Sequence, residues 1–472
     1  MGGGAQRPTD AAGWLARAVT CREAQRMAEA LDAIRHAAAL APNEPNIALG
    51  LAQLHYEAGL PAAELFATAA GLLPGRLDVM RNAALALAAE GDAGGGEHLL
   101  AATLVYNPGW IDGHRALAGL RATAGDLDHA QSFAEAVQRD PGNVALRLGW
   151  FHVLAVAKEW DAAREVLEDA RQNCGESRAL TLSQLFVQSE SGEGADDPAL
   201  FDAVEAIEDP GLDLARVRHF LRGGQVERAV AIAARHIGKP SIRPFWPYLS
   251  LGWRLTGDPR AQWLDDGMER VATYDLAFTA PELADLAALL RRLHTARAPY
   301  HEQSVRGGTQ TDRPLLLRLD PAIALARSRI EGAVRRYIDA LPPADHAHPL
   351  LSCPREDFRF SGSWSVRLRG PGYHAAHTHP MGWISSAFYV ALPEPSPQAE
   401  GSAGNLRFGT PPPELGLPLD AYGEIAPKAG RLALFPSTMW HGTVPCSPGE
   451  RLTIAFDVVP APAPAGQRDG DR

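Results

Sequence analysis

The stretch NEPNIALGLAQLHYEAGLPAAELFATAAGLLP, residues 43–74, decides the fold of the amino-terminal half of the chain. Its apolar and small residues recur at helical spacing on both sides of the short turn at "EAGLP". Gly50 allows the first predicted helix to approach its neighbour closely, and Ala62 and Ala69 do the same for the second. Phe66 fills the gap between them. The stretch therefore predicts two short helices that pack face to face.

Prolines repeat at intervals of 34, 32, 34 and 33 residues along the same half of the chain, at Pro8, Pro42, Pro74, Pro108 and Pro141. A period near 34 residues with a closing proline is typical of helix-turn-helix repeats, and the units resemble tetratricopeptide repeats. Most Ala and Leu residues here are expected to form core. Stacked units form a superhelix whose concave surface commonly holds a peptide. After Gly175 the period fades, and helices are expected to continue to about residue 275.

Composition and charge exclude several classes of protein. The 472-residue chain is 46% hydrophobic and 21% charged, which describes a folded protein large enough for at least two domains. A net charge of −11 argues against a nucleic-acid partner. No apolar run is long enough to span a membrane, and the start "MGGGAQRPTD" lacks the features of a signal peptide, so a cytoplasmic location is predicted. The four cysteines are widely spaced, which predicts reduced structural thiols.

The carboxy-terminal third has a different pattern. Short apolar or alternating segments separated by Gly and Pro predict strands of a β-sandwich or barrel, namely "SWSVRLRG", "ISSAFYVALP", "GNLRFG", "GRLALFPS" and "RLTIAFDVVP". The preceding "DPAIALARSRIEGAVRRYIDALP" predicts an amphipathic helix on the outside of the barrel. We expect this domain to begin near residue 276 and to contain a complete site.

Four histidines are candidates for that site. His377 and His379 are two residues apart, so on a strand they point to the same face, whereas His374 has the opposite parity. His441 follows another predicted strand, and a jelly roll could bring it opposite this pair. A lone surface histidine is more often a hydrogen-bonding residue than a ligand. Two histidines on one face and a third far along the chain favour a metal site, and Arg451 lies ten residues beyond the third.

These segments resemble the non-haem iron and 2-oxoglutarate-dependent oxygenases, specifically a group often fused to tetratricopeptide repeats. The resemblance covers about residues 300–460. It is carried by "QSVRGGTQT", "HTHP", "SSAFYV", "GNLRFG", "PKAGRLALFPS" and "WHGTVPCSPGERLTIAFD". It implies a double-stranded β-helix, or jelly roll, that uses Fe(II) with 2-oxoglutarate as cosubstrate.

The resemblance also implies roles for individual residues. His377 matches the first metal ligand and His441 matches the distal one. Arg451 matches the arginine that holds the far carboxylate of 2-oxoglutarate, a task suited to a permanently charged, bidentate guanidinium. Thr453, on the same strand face, is expected to add a hydroxyl contact, and Tyr389 is expected to reach the same carboxylate.

The sequence departs from the wider superfamily at His379, where Asp or Glu is usual. The nearest acidic residues, Glu356, Asp357 and Glu394, do not have the spacing to replace it. The iron would then be held by three neutral ligands, or by two with water in the third place, and we predict that His379 is the third ligand. Three neutral ligands leave more positive charge on the metal, which the carboxylates of the cosubstrate would partly offset. His374 is expected to lie at the lip of the site or behind it.

The sequence thus predicts a helical repeat array over residues 1–275, an oxygenase jelly roll over 276–460 and a disordered tail over 461–472. The leading hypothesis is a dioxygenase that hydroxylates a peptide or protein bound by the array. The alternatives are a repeat-based binding module with a degenerate oxygenase domain, and a three-histidine, cupin-like metalloenzyme that does not use 2-oxoglutarate. The "RGGTQT" segment could contact substrate or could be a simple turn. The sequence specifies neither the substrate nor the oligomeric state.

Overall fold

The computed structural model describes residues 7–194, 197–394 and 401–461. The predicted tail beyond residue 461 lies outside these ranges. The described chain forms two compact units that interleave along the sequence. The first comprises Met1–Leu180, Arg292–Gln303 and Gln310–Leu325, and the second comprises Thr181–Arg291, Ser304–Thr309 and Ala326–Arg472. The domain boundary predicted between residues 275 and 276 stays a prediction.

The first unit begins with ten short helices that pack in sequence. They are α1 (Ala11–Glu23), α2 (Met27–Leu40), α3 (Pro45–Glu57), α4 (Ala63–Leu72), α5 (Leu77–Ala89), α6 (Ala93–Tyr106), α7 (Ile111–Ala124), α8 (Gln131–Arg139), α9 (Val144–Val156) and α10 (Trp160–Cys174). Ala62, Phe66 and Ala69 lie in one buried cluster, and a Cβ on Gly50 would lie 3.3 Å from Ile34 Cδ1. The close-packed helical pairs predicted from the 34-residue period are confirmed.

Two later segments of the chain belong to this same unit. The backbone N–H groups of Arg297 and Ala298 both donate to the carbonyl of Thr123, at 2.9 and 3.1 Å. The guanidinium of Arg313 lies 4.2 Å from the ring centroid of Tyr56 at the end of α3. These segments contact helices that come much earlier in the sequence. They are therefore part of the helical unit and more than a linker.

The second unit contains all or most of each of the remaining helices in the described residues. They are α11 (Arg178–Ser191), α12 (Pro210–Arg222), α13 (Val226–Ala234), α14 (Trp246–Thr256), α15 (Arg260–Asp265), α16 (Ala280–Leu293) and α17 (Pro321–Asp339). The helix predicted over "DPAIALARSRIEGAVRRYIDALP" corresponds to α17. Helices α12–α15 share a buried cluster with Leu415 and Trp440, and Trp440 Nε1 donates to the carbonyl of Pro247 at 2.9 Å. Helices α12–α15, which precede residue 276, therefore pack on the β domain of the same unit.

In the described part of the chain, nine strands form two antiparallel sheets. They are β1 (Ala272–Asp275), β2 (Val305–Gln310), β3 (Phe358–His374), β4 (Ile384–Ala391), β5 (Leu406–Phe408), β6 (Gly423–Ile425), β7 (Arg431–Pro436), β8 (His441–Thr443) and β9 (Glu450–Pro460). The larger sheet has the order β1-β7-β4-β9-β3-β2 and the smaller β6-β5-β8. A helical repeat region followed by a jelly-roll domain of two antiparallel sheets confirms the predicted fold class.

The "RGGTQT" segment lies on a strand. It forms most of β2, at the edge of the larger sheet beside β3. A Cβ on Gly308 would lie 2.3 Å from the carbonyl oxygen of Arg367, and Gly307 has a φ of +71°. The two glycines are therefore explained by close backbone packing and by a left-handed conformation.

Among the described residues, no helix is both long enough and apolar enough to cross a membrane. The cytoplasmic location stays a prediction.

Candidate metal and cosubstrate site

His377 and His441 are brought together by the backbone. The N–H of His377 donates to the carbonyl of His441 at 2.9 Å, and the N–H of His441 donates to the carbonyl of His377 at 3.0 Å. His379 is positioned by its own N–H, which donates to the carbonyl of Ser437 at 2.8 Å. One ring nitrogen from each of the three histidines lies within 4.8 Å of those of the other two.

Each of the three rings is oriented by a hydrogen bond at Nδ1. The Nδ1 of His377 lies 2.8 Å from the carbonyl of Ala375, and that of His441 lies 3.0 Å from the carbonyl of Met439. Carbonyl oxygens only accept, so both Nδ1 atoms carry the proton and both Nε2 atoms present a lone pair. This is the usual arrangement of histidines that bind a metal.

The charge state of the rings suits the same task. Burial, followed by the neighbouring His441 and His379, holds the pKa of His377 well below its ordinary value. Burial, followed by His379, lowers the pKa of His441 to about 3. At neutral pH these two rings are neutral, which is the form that binds metals.

His379 differs from the other two because its Nδ1 faces a carboxylate. Asp457 on β9 places Oδ1 at 2.8 Å and Oδ2 at 2.7 Å from this nitrogen. Asp457 is not among the site residues predicted from the sequence, although strand parity places it on the same face of β9 as Arg451 and Thr453. Among the described residues of this cluster, the carboxylate of Asp457 therefore lies beside His379, and none of the three predicted ligands is itself a carboxylate.

Arg451, Tyr389 and Thr453 share one face of the larger sheet. Tyr389 on β4 is directly opposite Thr453 on β9, and Arg451 is two residues from Thr453 on the same strand. The guanidinium carbon of Arg451 lies 5.0 Å from the centroid of the Tyr389 ring. Both Arg451 and Tyr389 are buried.

Two buried polar atoms in this group have no hydrogen-bond partner among the described residues, Arg451 Nε and the hydroxyl of Tyr389. Burial is the main cause of the raised pKa of Tyr389, so the hydroxyl keeps its proton and can donate. Arg451 Nη1 donates to the carbonyl of Gly404 at 2.6 Å, which anchors the side chain. Unpaired buried donors are costly, and a carboxylate is an acceptor that fits both.

His374 and Ser304 lie beside the three histidines. Ser304 Oγ is 3.0 Å from Nδ1 of His374 and 3.3 Å from Nε2 of His377. Burial, followed by the charge of Arg451, lowers the pKa of His374 to about 3. His374 is not part of the group whose nitrogens converge, so its predicted place at the edge of the site agrees with its position.

Aromatic residues enclose the ligand set. The ring centroid of Trp364 lies 5.6 Å from that of His379, and the centroid of Phe435 lies 4.6 Å from that of His441. Trp440, next to His441, is held by α14 through Pro247. These contacts restrict the rotation of the rings and reduce the access of water.

Comparison with known families supports this description of the β domain. Residues 362–457 match the family model described as "Putative 2OG-Fe(II) oxygenase". The match includes every residue predicted above for the metal and the cosubstrate. No curated protein matches the sequence.

Several solved structures show weak similarity. A prolyl-4-hydroxylase from Pseudomonas putida is 18% identical over 41% of this chain and 95% of its own, with a TM-score of 0.28. HygX from Streptomyces hygroscopicus, solved with nickel, 2-oxoglutarate and hygromycin B bound, is 13% identical over 40% of this chain and 83% of its own, with a TM-score of 0.29. A tetratricopeptide repeat protein from Parabacteroides merdae is 14% identical over 51% of this chain and 98% of its own, with a TM-score of 0.33. Similarity this weak does not bear on function.

The residues present fit the cofactors of the matched family, Fe(II) and 2-oxoglutarate. One ring nitrogen from each of three histidines lies within 4.8 Å of the other two, and imidazoles suit iron. The unpaired Nε–H of Arg451 and the unpaired hydroxyl of Tyr389 can both donate hydrogen bonds to a carboxylate of 2-oxoglutarate.

Proposed function

We propose that the protein is an Fe(II)- and 2-oxoglutarate-dependent dioxygenase that hydroxylates a peptide or protein substrate. The observation that carries the proposal is the convergence of three histidine nitrogens within 4.8 Å in the domain that matches the oxygenase family. In the overall reaction, O₂ and 2-oxoglutarate are consumed. One oxygen atom enters a C–H bond of the substrate, the other enters succinate, and CO₂ is released.

His377, His379 and His441 are the proposed metal ligands. When bound, Fe(II) would supply the redox chemistry that activates O₂. The protein holds the three rings in one tautomer and in fixed orientations before any metal arrives, since each Nδ1 is already engaged. This arrangement lowers the cost of ordering the site on metal binding.

Arg451 and Tyr389 are the proposed contacts for the far carboxylate of 2-oxoglutarate. A guanidinium and a phenol whose donors lack partners supply charge-assisted hydrogen bonds to that group. Thr453 lies on the same face and is the proposed third contact.

The helical unit is the proposed site of substrate recruitment. A cavity of about 560 Å³ is lined by residues of alternate helices, α3, α5, α7 and α9. Its walls carry both basic and acidic groups, among them Arg81, Arg115 and Asp112, which suits a polar peptide. Tyr300, His301 and Glu302 of the later segment in this unit close part of the same cavity, so the space for a partner is smaller than that of an open array.

The cupin-like alternative is favoured by one observation, the absence of a carboxylate from the ligand set. The unpaired donors of Arg451 and Tyr389 favour the use of 2-oxoglutarate. The two functions differ in a measurable product, since only the dioxygenase forms succinate.

Purified protein supplied with Fe(II), ascorbate and 2-oxoglutarate should form succinate slowly without substrate, as measured by ¹H NMR. The His441→Ala variant should form none. Equal succinate from the variant and the wild type would rule out catalysis at this site. The peptide hypothesis is tested separately with a peptide library, in which a substrate should gain 16 mass units and accelerate succinate formation.

A further inference from the structure

Asp457 occupies a position that neither the family match nor the sequence pattern assigns to the site. Both of its carboxylate oxygens lie within 2.8 Å of Nδ1 of His379. Each of the other two histidines donates to a neutral backbone carbonyl. His379 is therefore the one ring of the three that is paired with a negative charge.

The carboxylate is held in place by a chain of hydroxyl groups. Ser385 Oγ lies 2.6 Å from Asp457 Oδ1 and 2.8 Å from Ser437 Oγ. A hydroxyl has one proton and the carboxylate can only accept, so Ser385 donates to Asp457 and Ser437 donates to Ser385. Both serines are buried, which restricts their rotation.

The same chain closes on the backbone of His379. The carbonyl of Ser437 accepts from the N–H of His379 at 2.8 Å, so both ends of this residue are held by one network. On β9 and β4, Asp457 and Ser385 are directly opposite each other, which explains why the network forms between distant parts of the sequence. A Cβ on Gly382 would lie 2.6 Å from Ser437 Oγ, so the turn after His379 is shaped to admit this serine.

We propose that Asp457 is a positioning residue for the metal site, which acts through His379. The inference rests on the proposed function. Asp457 keeps the proton of His379 on Nδ1, directs Nε2 toward the metal and makes that nitrogen a stronger donor. Through its contact with Nδ1 of His379, it also supplies the negative charge that a carboxylate ligand at position 379 would have provided.

The test compares Asp457→Asn and Asp457→Ala with wild type in anaerobic titrations with Co(II) and Fe(II), against a competing chelator. The asparagine can still accept from Nδ1 but carries no charge, whereas the alanine removes both functions. We expect a 10- to 100-fold loss of metal affinity, with alanine at least as weak as asparagine. Asp357→Asn is the matched control, because this exposed carboxylate belongs to the same β domain and should leave the affinity unchanged. Affinity within twofold of wild type for Asp457→Ala would overturn the proposal.

A second measurement uses the metal-free wild-type protein and does not depend on the folding of a variant. Long-range ¹H–¹⁵N NMR of the histidine rings, with His379 assigned by its loss in His379→Gln, should show its proton on Nδ1. A ring whose Nδ1 carries no proton would overturn the proposal. If the wild type bound neither metal, the proposed function would fail, and this measurement would still decide whether Asp457 sets the tautomer of His379.

Discussion

His377 and His441 are 64 residues apart in the sequence, yet their backbones exchange a pair of hydrogen bonds of 2.9 and 3.0 Å. The bridge sets the separation of the two rings, whose centroids lie 4.3 Å apart. Because the backbone of both residues is constrained, two of the proposed ligands are placed without the help of a metal.

Replacement of His377 or His441 by Ala is expected to abolish stoichiometric Fe(II) binding, since each removes one of three proposed ligands. Iron content after anaerobic loading and desalting measures the effect. His346→Ala, an exposed histidine in the same unit, is the control and should bind iron as the wild type does. A variant with full iron occupancy would remove its residue from the ligand set.

Arg451→Ala is expected to weaken 2-oxoglutarate binding about thirtyfold while iron stays bound, since the loss of a charge-assisted contact costs on the order of 2 kcal/mol or more. The dependence of succinate formation on 2-oxoglutarate concentration measures this loss. Arg369→Ala, an exposed arginine on the neighbouring β3, is the matched control. An unchanged dependence in Arg451→Ala would favour the cupin-like alternative.

Tyr389→Phe tests the second unpaired donor in the same site. It removes the hydroxyl and keeps the buried ring, so a smaller loss of 2-oxoglutarate affinity is expected, equivalent to about 1 kcal/mol, or roughly fivefold. The free energy of unfolding should not fall, because the hydroxyl has no partner among the described residues. A marked fall in stability with unchanged cosubstrate affinity would assign Tyr389 to the core alone.

The sequence predicts that the histidines come together, but the backbone that brings them together differs from the expected one. His377 and His379 were expected on one regular strand, whereas the structure has a single bridge at His377 followed by a turn. Asp457 was not predicted because it lies 78 residues from His379, far along the chain from the HTHP motif. The alternation of side chains along β9 that places Thr453 on the same face as Arg451 also places Asp457 there. The sequence therefore does contain a signal for Asp457.

Other features depend on contacts that sequence patterns do not report. The 34-residue period predicted the helical pairs, because each pair is a local unit. The return of residues 292–303 and 310–325 to the helical unit has no periodic signal. The packing of α12–α15 on Leu415 and Trp440 likewise joins residues about 150 or more positions apart.

Gly308→Ala is expected to destabilise the β domain, because the added Cβ would meet the backbone carbonyl of Arg367 at 2.3 Å. The cost should be about 2 kcal/mol or more, measured as the free energy of unfolding in urea. Gly332→Ala, within α17, is the control, since no atom lies closer than 3.9 Å and alanine favours a helix. Equal stability of the two variants would show that β2 does not pack as described.

Trp440→Ala is expected to lower the free energy of unfolding by about 3 kcal/mol or more, since it leaves a large cavity and removes the bond to Pro247. Tyr106→Ala, at an 86% exposed aromatic residue, should change stability by less than about 0.5 kcal/mol. A small effect at Trp440 would argue against the packing of α14 on the β domain.

The same packing changes the expectation for a fragment that begins at residue 276. The sequence predicts that such a fragment holds a complete site, but it would lack α12–α15 and expose their apolar contacts, including Trp440 and Leu415. We now expect it to aggregate or to bind a hydrophobic dye strongly, as checked by size-exclusion chromatography and circular dichroism. A monomeric, folded fragment that binds iron would show that these helices are dispensable.

The most direct test of the account is the anaerobic addition of 2-oxoglutarate to the Fe(II)-loaded wild-type protein, followed by visible absorption spectroscopy. We expect a weak charge-transfer band that saturates at one cosubstrate per iron, is absent in His441→Ala and requires more 2-oxoglutarate in Arg451→Ala. Iron that binds stoichiometrically but gives no band at any concentration of 2-oxoglutarate would contradict it.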